Sequence, residues 1–219
     1  MADARIALGF RAQRGGAVVV GVSVEDGAPR MILSTVLATA AEGDRLAFEP
    51  YHVAFEMTAG ARGVVPAEAE AAVAEGRRRQ LALAVEGVKA MTDRLREAGP
   101  PPAAALLVNR AGWMTDLLRY SLFDPAHPPV AEGLAVREAL RLAARRCGLD
   151  LVEMDEKSLP EAGAIALGLS PAELEGRLKA LGAGGKPWRK EQKLACLAAW
   201  LAAAAVVPPQ PGNWDNQGL

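Results

Sequence analysis

The feature that most constrains the fold is a set of three strand-like segments at the start of the chain, joined by very short connections. The segments are residues 5–12 (RIALGFRA), 17–24 (AVVVGVSV) and 30–39 (RMILSTVLAT). Between them lie Arg14-Gly15-Gly16 and Glu25-Asp26-Gly27, and Gly and Asp readily adopt the dihedral angles of tight hairpin turns. Connections this short join antiparallel neighbours, because a parallel crossover needs a dozen or more residues. The sequence therefore predicts an antiparallel meander of three strands.

Helices and strands alternate along the rest of the chain. Residues 51–55 are either a short strand or a buried loop, and a helix is predicted over 66–98, where Gly76 and Gly87 bend or split it. A continuously apolar strand over 103–109 is typical of an interior parallel position. The remaining predictions are a helix over 130–146, a strand over 149–156, and helices over 171–181 and 188–207.

This succession predicts one α/β domain over residues 1–219, with 207–219 as a C-terminal tail. Its sheet is mixed and five-stranded: three antiparallel strands, then helix, strand, helix, strand and helix. Short helix–strand connections favour parallel crossovers in the second half.

Composition excludes several classes of protein. Hydrophobic residues make up 51 % of the chain, enough to build a core, so a disordered chain is excluded. The net charge of −1 argues against a polycation that coats DNA with its whole surface. Cys147 and Cys196 provide neither a disulfide scaffold nor a multi-thiolate zinc site. The N-terminus lacks the pattern of a signal peptide and the apolar stretch over 194–207 is too short to span a bilayer, so we expect a cytoplasmic protein without membrane contact.

Three short motifs accompany this order of elements. They are residues 7–11 (ALGFR) in the first strand, 106–110 (LLVNR) at the end of the fourth, and 184–192 (GGKPWRKEQ) before the last helix. Together with the topology, they resemble the ribonuclease H-like superfamily, and within it the Holliday-junction resolvases of the RuvC type. The spacing from Lys190 to Asp215 also resembles the distance to the first Asp of that family's C-terminal acidic pair.

The resemblance implies two-metal hydrolysis of phosphodiesters, in which four carboxylates hold two Mg²⁺ ions. The matching positions carry Arg11, Asn109 and Asp215, and the fourth falls at Gly218. One carboxylate of four cannot hold two ions. The resemblance, with these departures, therefore implies a catalytically degenerate protein with no catalytic residue, metal ligand or cofactor assigned. The alternative is a Mg²⁺-dependent nuclease with a rebuilt site.

A rebuilt site would use Asp215 and the acids that follow the fifth strand. Glu153 and Asp155 share one face of that strand by alternation, with Glu156 beside them, and could meet a cation there. The simpler interpretation is a solvated edge with ordinary acidic residues.

Two groups of cations are candidate contacts for nucleic acid. Arg137, Arg141 and Arg145 recur at every fourth residue and form one ridge on a helix, which either follows a phosphate backbone or faces solvent. The second group surrounds the start of the last helix, where the helix dipole favours anions. Its members are Lys186, Arg189, Lys190 and Lys193.

We therefore expect a protein that binds DNA, RNA or a protein partner, which includes a second copy of itself. A metal-dependent nuclease and a purely structural assembly protein with a large apolar interface are the other hypotheses.

Overall fold

A mixed sheet of five strands forms the centre of the computed structural model, which describes residues 4–58, 65–96, 102–109, 114–122, 124–185 and 187–206. The strands of this described part are β1 (Arg5–Gln13), β2 (Gly16–Glu25), β3 (Ala28–Ala38), β4 (Ala103–Val108) and β5 (Leu151–Asp155). Their order is β3-β2-β1-β4-β5. Strands β1 to β3 are antiparallel neighbours, and β4 and β5 run parallel to β1. The predicted α/β class, meander and mixed sheet are confirmed.

Helices cover both faces of the sheet. They are α1 (Arg45–Phe48), α2 (Pro50–Met57), α3 (Ala67–Arg96), α4 (Leu117–Ser121), α5 (Pro128–Arg146), α6 (Leu159–Ala166), α7 (Pro171–Leu181) and α8 (Lys190–Ala203). Helices α3 and α5 pack on one face around Leu8, Phe10 and Leu106, while α6, α7 and α8 pack on the other around Leu107 and Met154. None of the helices within the described ranges combines the length and apolar character of a membrane span.

The sequence prediction was wrong for residues 51–55, which lie in α2 and are neither a strand nor a loop. Pro50 occupies the first turn of this helix, where its missing N–H costs nothing. The next two backbone N–H groups donate to the carboxylate of Glu132 on α5. The helix therefore depends on a partner 80 residues away, which a local pattern does not show.

Helix α3 is continuous over 30 residues, so Gly76 and Gly87 do not split it. They allow close packing instead. A Cβ atom on Gly76 would lie 2.4 Å from the carbonyl oxygen of Leu46, and one on Gly87 would press on the Leu37 side chain. Helix α6 is an addition that the sequence did not predict. Helix α8 ends at Ala203, earlier than predicted, and the proposed tail over 207–219 lies outside the described residues.

The contact between β1 and α8 sets the position of the last helix. A Cβ atom on Gly9 would lie 1.9 Å from the carbonyl oxygen of Ala195, so only glycine allows this approach. The helix lies directly across the first strand, with its N-terminal residue Lys190 near Arg11 at the carboxyl edge of the parallel strands.

Candidate functional site

The candidate site lies where β1, β4 and β5 end. These strands are parallel, so their carboxyl ends meet at one edge, the usual place for ligand sites in open α/β sheets. The edge brings together Arg11 near the end of β1, Asn109 after β4 and Glu156 after β5. Sequence positions far apart thereby form one cluster.

An ion pair joins β1 to the end of β5. The Nε and Nη2 atoms of Arg11 donate to Oε1 of Glu156, at 3.0 and 2.9 Å. About a quarter of each side chain is exposed. The backbone N–H of Glu156 donates to the carbonyl oxygen of Val108, which fixes the carboxylate beside β4.

A second polar contact joins the end of β4 to helix α5. Nη1 of Arg137 donates to Oδ1 of Asn109 at 2.7 Å. The Nε atom of Arg137 is buried and has no hydrogen-bond partner within the described part of the chain. Burial lowers the pKa of this guanidinium. Arg137 is therefore a partly desolvated cation with donor capacity left for an acceptor.

The acidic residues of β5 accept hydrogen bonds from neighbouring residues. Arg141 donates to both Glu138 and Glu153, including a bond of 3.1 Å from Nη2 to Oε2 of Glu153. The hydrogen bond that Arg141 donates to Glu153 is the main cause that raises the pKa of Arg141. Asp155 accepts from the backbone N–H and hydroxyl of Ser158, both at 2.8 Å. Glu153 does meet a cation, as alternation allowed, but that cation is a guanidinium.

A cavity of about 670 Å³ opens over the ion pair; we call it the basic cleft. Among the described residues that line it, five cations oppose one acid, Glu156. The cations are Arg11, Arg14, Arg137, Lys157 and Lys190. Helix α8 begins at Lys190, so its N-terminal partial positive charge adds to theirs.

No protein-family model matches the sequence, and no curated protein matches it. Several solved structures do match this chain. Thermus thermophilus RuvC matches with a TM-score of 0.53 and 14 % identity, covering 93 % of this chain and 99 % of that one. T. thermophilus RuvC in complex with Holliday junction substrate matches with a TM-score of 0.51 and 13 % identity, covering 90 % of each chain. The fold is that of RuvC. This confirms the ribonuclease H-like topology predicted from the sequence, and identities this low establish the fold alone.

The structure brings some of the predicted site residues together in the basic cleft and leaves others outside it. Arg11, Asn109, Arg137 and Lys190 meet at the basic cleft, while Arg141 lies on the far side of Arg137. Three other predicted residues do not line the cleft: Arg145 and Arg189, which are exposed, and the half-buried Lys193. Lys186 and Asp215 lie outside the described residues. Binding of nucleic acid by this set stays a prediction.

Sequence reasoning missed Arg14 and Lys157 as members of the cleft. Arg14 belongs to the hairpin turn after β1, and Lys157 follows the acids after β5. Both come directly after a strand that runs toward the same edge, and this position was the available signal.

Within the described part of the chain, the residues at this edge do not fit the two Mg²⁺ ions that the resemblance implies. A hard divalent cation needs several anionic oxygens, and the carboxylate at this edge, Glu156, is engaged by Arg11. Within the described residues, no group of three or more His, Cys, Asp or Glu side chains is placed to hold a metal ion.

Proposed function

We propose that this chain binds the phosphate backbone of nucleic acid in the basic cleft and does not hydrolyse it. The observation that carries the proposal is the pairing of Arg11 with Glu156 inside a cavity lined by five cations and one acid. The position that the resemblance assigns to the first catalytic acid thus belongs to an anion-binding surface.

Guanidinium and ammonium groups in a concave site suit phosphates. Each phosphate contact releases counterions, and a cleft lined by one sign of charge concentrates ligands of the other sign. Since the whole chain carries a net charge of −1, this attraction comes from the local charge of the cleft and not from an overall positive charge. T. thermophilus RuvC, which shares the fold, has been solved with a Holliday junction substrate, which favours DNA as the first ligand to test.

The absence of hydrolysis follows from electrostatics. A guanidinium at the centre of the cleft repels a divalent ion and neutralises the carboxylate that would attract one. The protein is then a catalytically degenerate relative of nucleases that keeps the binding surface.

The test is binding of a fluorescently labelled DNA, as a four-way junction and as a single strand, over a range of salt concentrations. The triple variant Arg14→Ala, Lys157→Ala, Lys190→Ala removes three exposed cations of the cleft. We expect at least a tenfold loss of affinity at low salt and a salt slope reduced by about 2 to 3. The matched control replaces three exposed cations outside the cleft, Arg5, Arg30 and Arg94, and should bind like the wild type. Equal losses in the two variants, or no binding by the wild type, would reject the proposal.

Glu156→Gln separates binding from the alternative of a metal-dependent nuclease. Removing the acid that opposes five cations should tighten DNA binding severalfold, because the cleft gains positive charge and Arg11 is released. The wild type and the variant should both leave DNA intact with Mg²⁺ or Mn²⁺. Measurable Mn²⁺ binding by calorimetry, or cleavage that Glu156→Gln abolishes, would favour the nuclease.

A protein partner or homodimer stays a hypothesis and is open to size-exclusion chromatography. A cytoplasmic location likewise stays a prediction.

A further inference from the structure

A second cavity of about 780 Å³ adjoins the basic cleft; we call it the side cavity. It lies between α3, α4 and α5 at the ends of β4 and β5, and its lining includes Tyr51. The side chains of Asn109, Leu134 and Arg137 line both cavities. The Arg137–Asn109 hydrogen bond therefore stands at their junction, and one ligand can occupy both.

The two cavities differ in charge. The basic cleft has five cations and one acid, whereas the side cavity has three arginines and four acids. Arg141 is already neutralised by Glu138 and Glu153. A phosphate is thus favoured in the cleft and disfavoured in the side cavity, which suits an uncharged polar group. The charged residues of the side cavity are Glu70, Arg77, Asp116, Arg137, Glu138, Arg141 and Glu153.

The lining of the side cavity places apolar residues beside hydrogen-bonding and charged groups. Val73, Val108 and Leu117 provide apolar contacts, and Asn109 and Thr115 provide polar groups. A cavity of this size, with apolar residues and hydrogen-bonding groups side by side, falls in the size range of small-molecule pockets.

We infer that the side cavity binds an unstacked nucleobase of the nucleic acid strand whose phosphate lies in the basic cleft. The inference rests on the proposed function and adds its ligand class: single-stranded or unpaired nucleotides. A base is uncharged, polar at its edges and apolar on its faces, which matches the side cavity, and the adjoining phosphate matches the cleft. Extracting a base from a duplex costs the free energy of unpairing and unstacking it, so strands that are already unpaired bind better.

The experiment compares a single-stranded oligonucleotide with an abasic deoxyribose-phosphate strand of equal length by fluorescence anisotropy. Ala74→Trp places an indole in the side cavity from an exposed position of α3, so folding is not endangered. Ala82→Trp is the matched control, since Ala82 is exposed on the same helix and does not line either cavity. A third ligand is free dAMP, which carries the same base and phosphate without the polymer.

We expect the wild type and Ala82→Trp to prefer the normal strand over the abasic strand by tenfold or more. Ala74→Trp should lower this ratio to near one and leave binding of the abasic strand unchanged. A ratio near one in the wild type, or one that Ala74→Trp leaves unchanged, overturns the inference while the proposed function stands. Failure of both strands to bind rejects both. Binding of dAMP as tight as that of the oligonucleotide assigns the cavity to a free nucleotide and also overturns the inference.

Discussion

Glu132 shows how much one buried residue can decide in this protein. Its side chain is fully buried, and Oε1 accepts the backbone N–H groups of Tyr51 and His52 at 2.8 and 3.1 Å. These are among the first N–H groups of α2, which the helix itself leaves unpaired. Burial raises the pKa of Glu132 to about 8, although both hydrogen bonds act to lower it. The nearest other charges act in opposite directions, with Glu49 raising this pKa and Arg14 lowering it.

The raised pKa of Glu132 makes stability depend on pH. Between the unfolded value of 4.5 and the folded value of about 8, the folded state binds more protons than the unfolded state. Its contribution to the free energy of unfolding is thus fully present below about pH 4.5 and is lost as pH rises toward 8. Glu132→Gln keeps an oxygen acceptor but does not titrate. Between pH 5 and 9, the wild type should lose on the order of a few kcal/mol more than this variant.

Urea unfolding at the two pH values measures this difference. Glu161→Gln is the control, because Glu161 is exposed, and it should follow the wild type. If Glu132→Gln shows the same pH dependence as the wild type, the carboxyl group is not the cause.

At the scale of elements, the packing of α8 on β1 decides where the cleft lies. The approach leaves no room for a Cβ atom at Gly9, whose nearest neighbour is the backbone of α8. The same helix brings Lys190 to the cleft at its N-terminus. A small displacement of α8 would therefore alter both the core and the basic cleft.

Gly9→Ala should destabilise the protein by about 2 to 3 kcal/mol, because the added methyl group forces the strand and helix apart. It should also weaken DNA binding, since Lys190 moves with the helix. Gly176→Ala in α7 is the matched control: nothing lies within 4 Å of its added Cβ. That variant should gain about 0.5 to 1 kcal/mol, as expected for glycine in a helix. Urea unfolding and DNA anisotropy on both variants check these values, and a Gly9→Ala variant of normal stability would show that α8 is not held as tightly as described.

At the scale of the whole molecule, one sheet joins two hydrophobic cores. Neighbouring residues of β4 serve opposite faces: Leu106 packs with the core under α3 and α5, and Leu107 with the core under α6, α7 and α8. Both side chains are almost fully buried. Since the central strands belong to both cores, we expect the two faces to fold as one unit.

Leu106→Ala and Leu107→Ala should each lower the free energy of unfolding by about 2 to 5 kcal/mol. In both variants, near-ultraviolet dichroism of the tryptophans and far-ultraviolet dichroism of the helices should give the same transition. Trp188 and Trp200 belong to the Leu107 face, so an independent Leu106 face would unfold before their signal changes. Two separate transitions in Leu106→Ala would contradict a single cooperative unit.

Local signals accounted for most of the fold. The meander was predictable because its turns and β-branched strands act over a few residues, and Asn109 and Arg11 were singled out because the motifs around them resemble those of the RuvC-type family. Helices α2 and α6 were not predicted from such local signals. Each has only eight residues, too few to be stable alone, and α2 depends on Glu132 from α5. The cleft was found only in part, because Arg14 and Lys157 join it through the convergence of strands.

The amino-acid sequence alone determined most of the elements that form, and that an arginine and an asparagine stand at the ends of the first and fourth strands. These are properties of local pattern and residue chemistry, which need no knowledge of neighbours. Only the tertiary structure decided that Arg11 pairs with Glu156, that Arg137 meets Asn109, and that a nearly neutral cavity adjoins a basic one. Such contacts depend on strand order and helix docking, because residues more than a hundred positions apart become neighbours only when the sheet has formed.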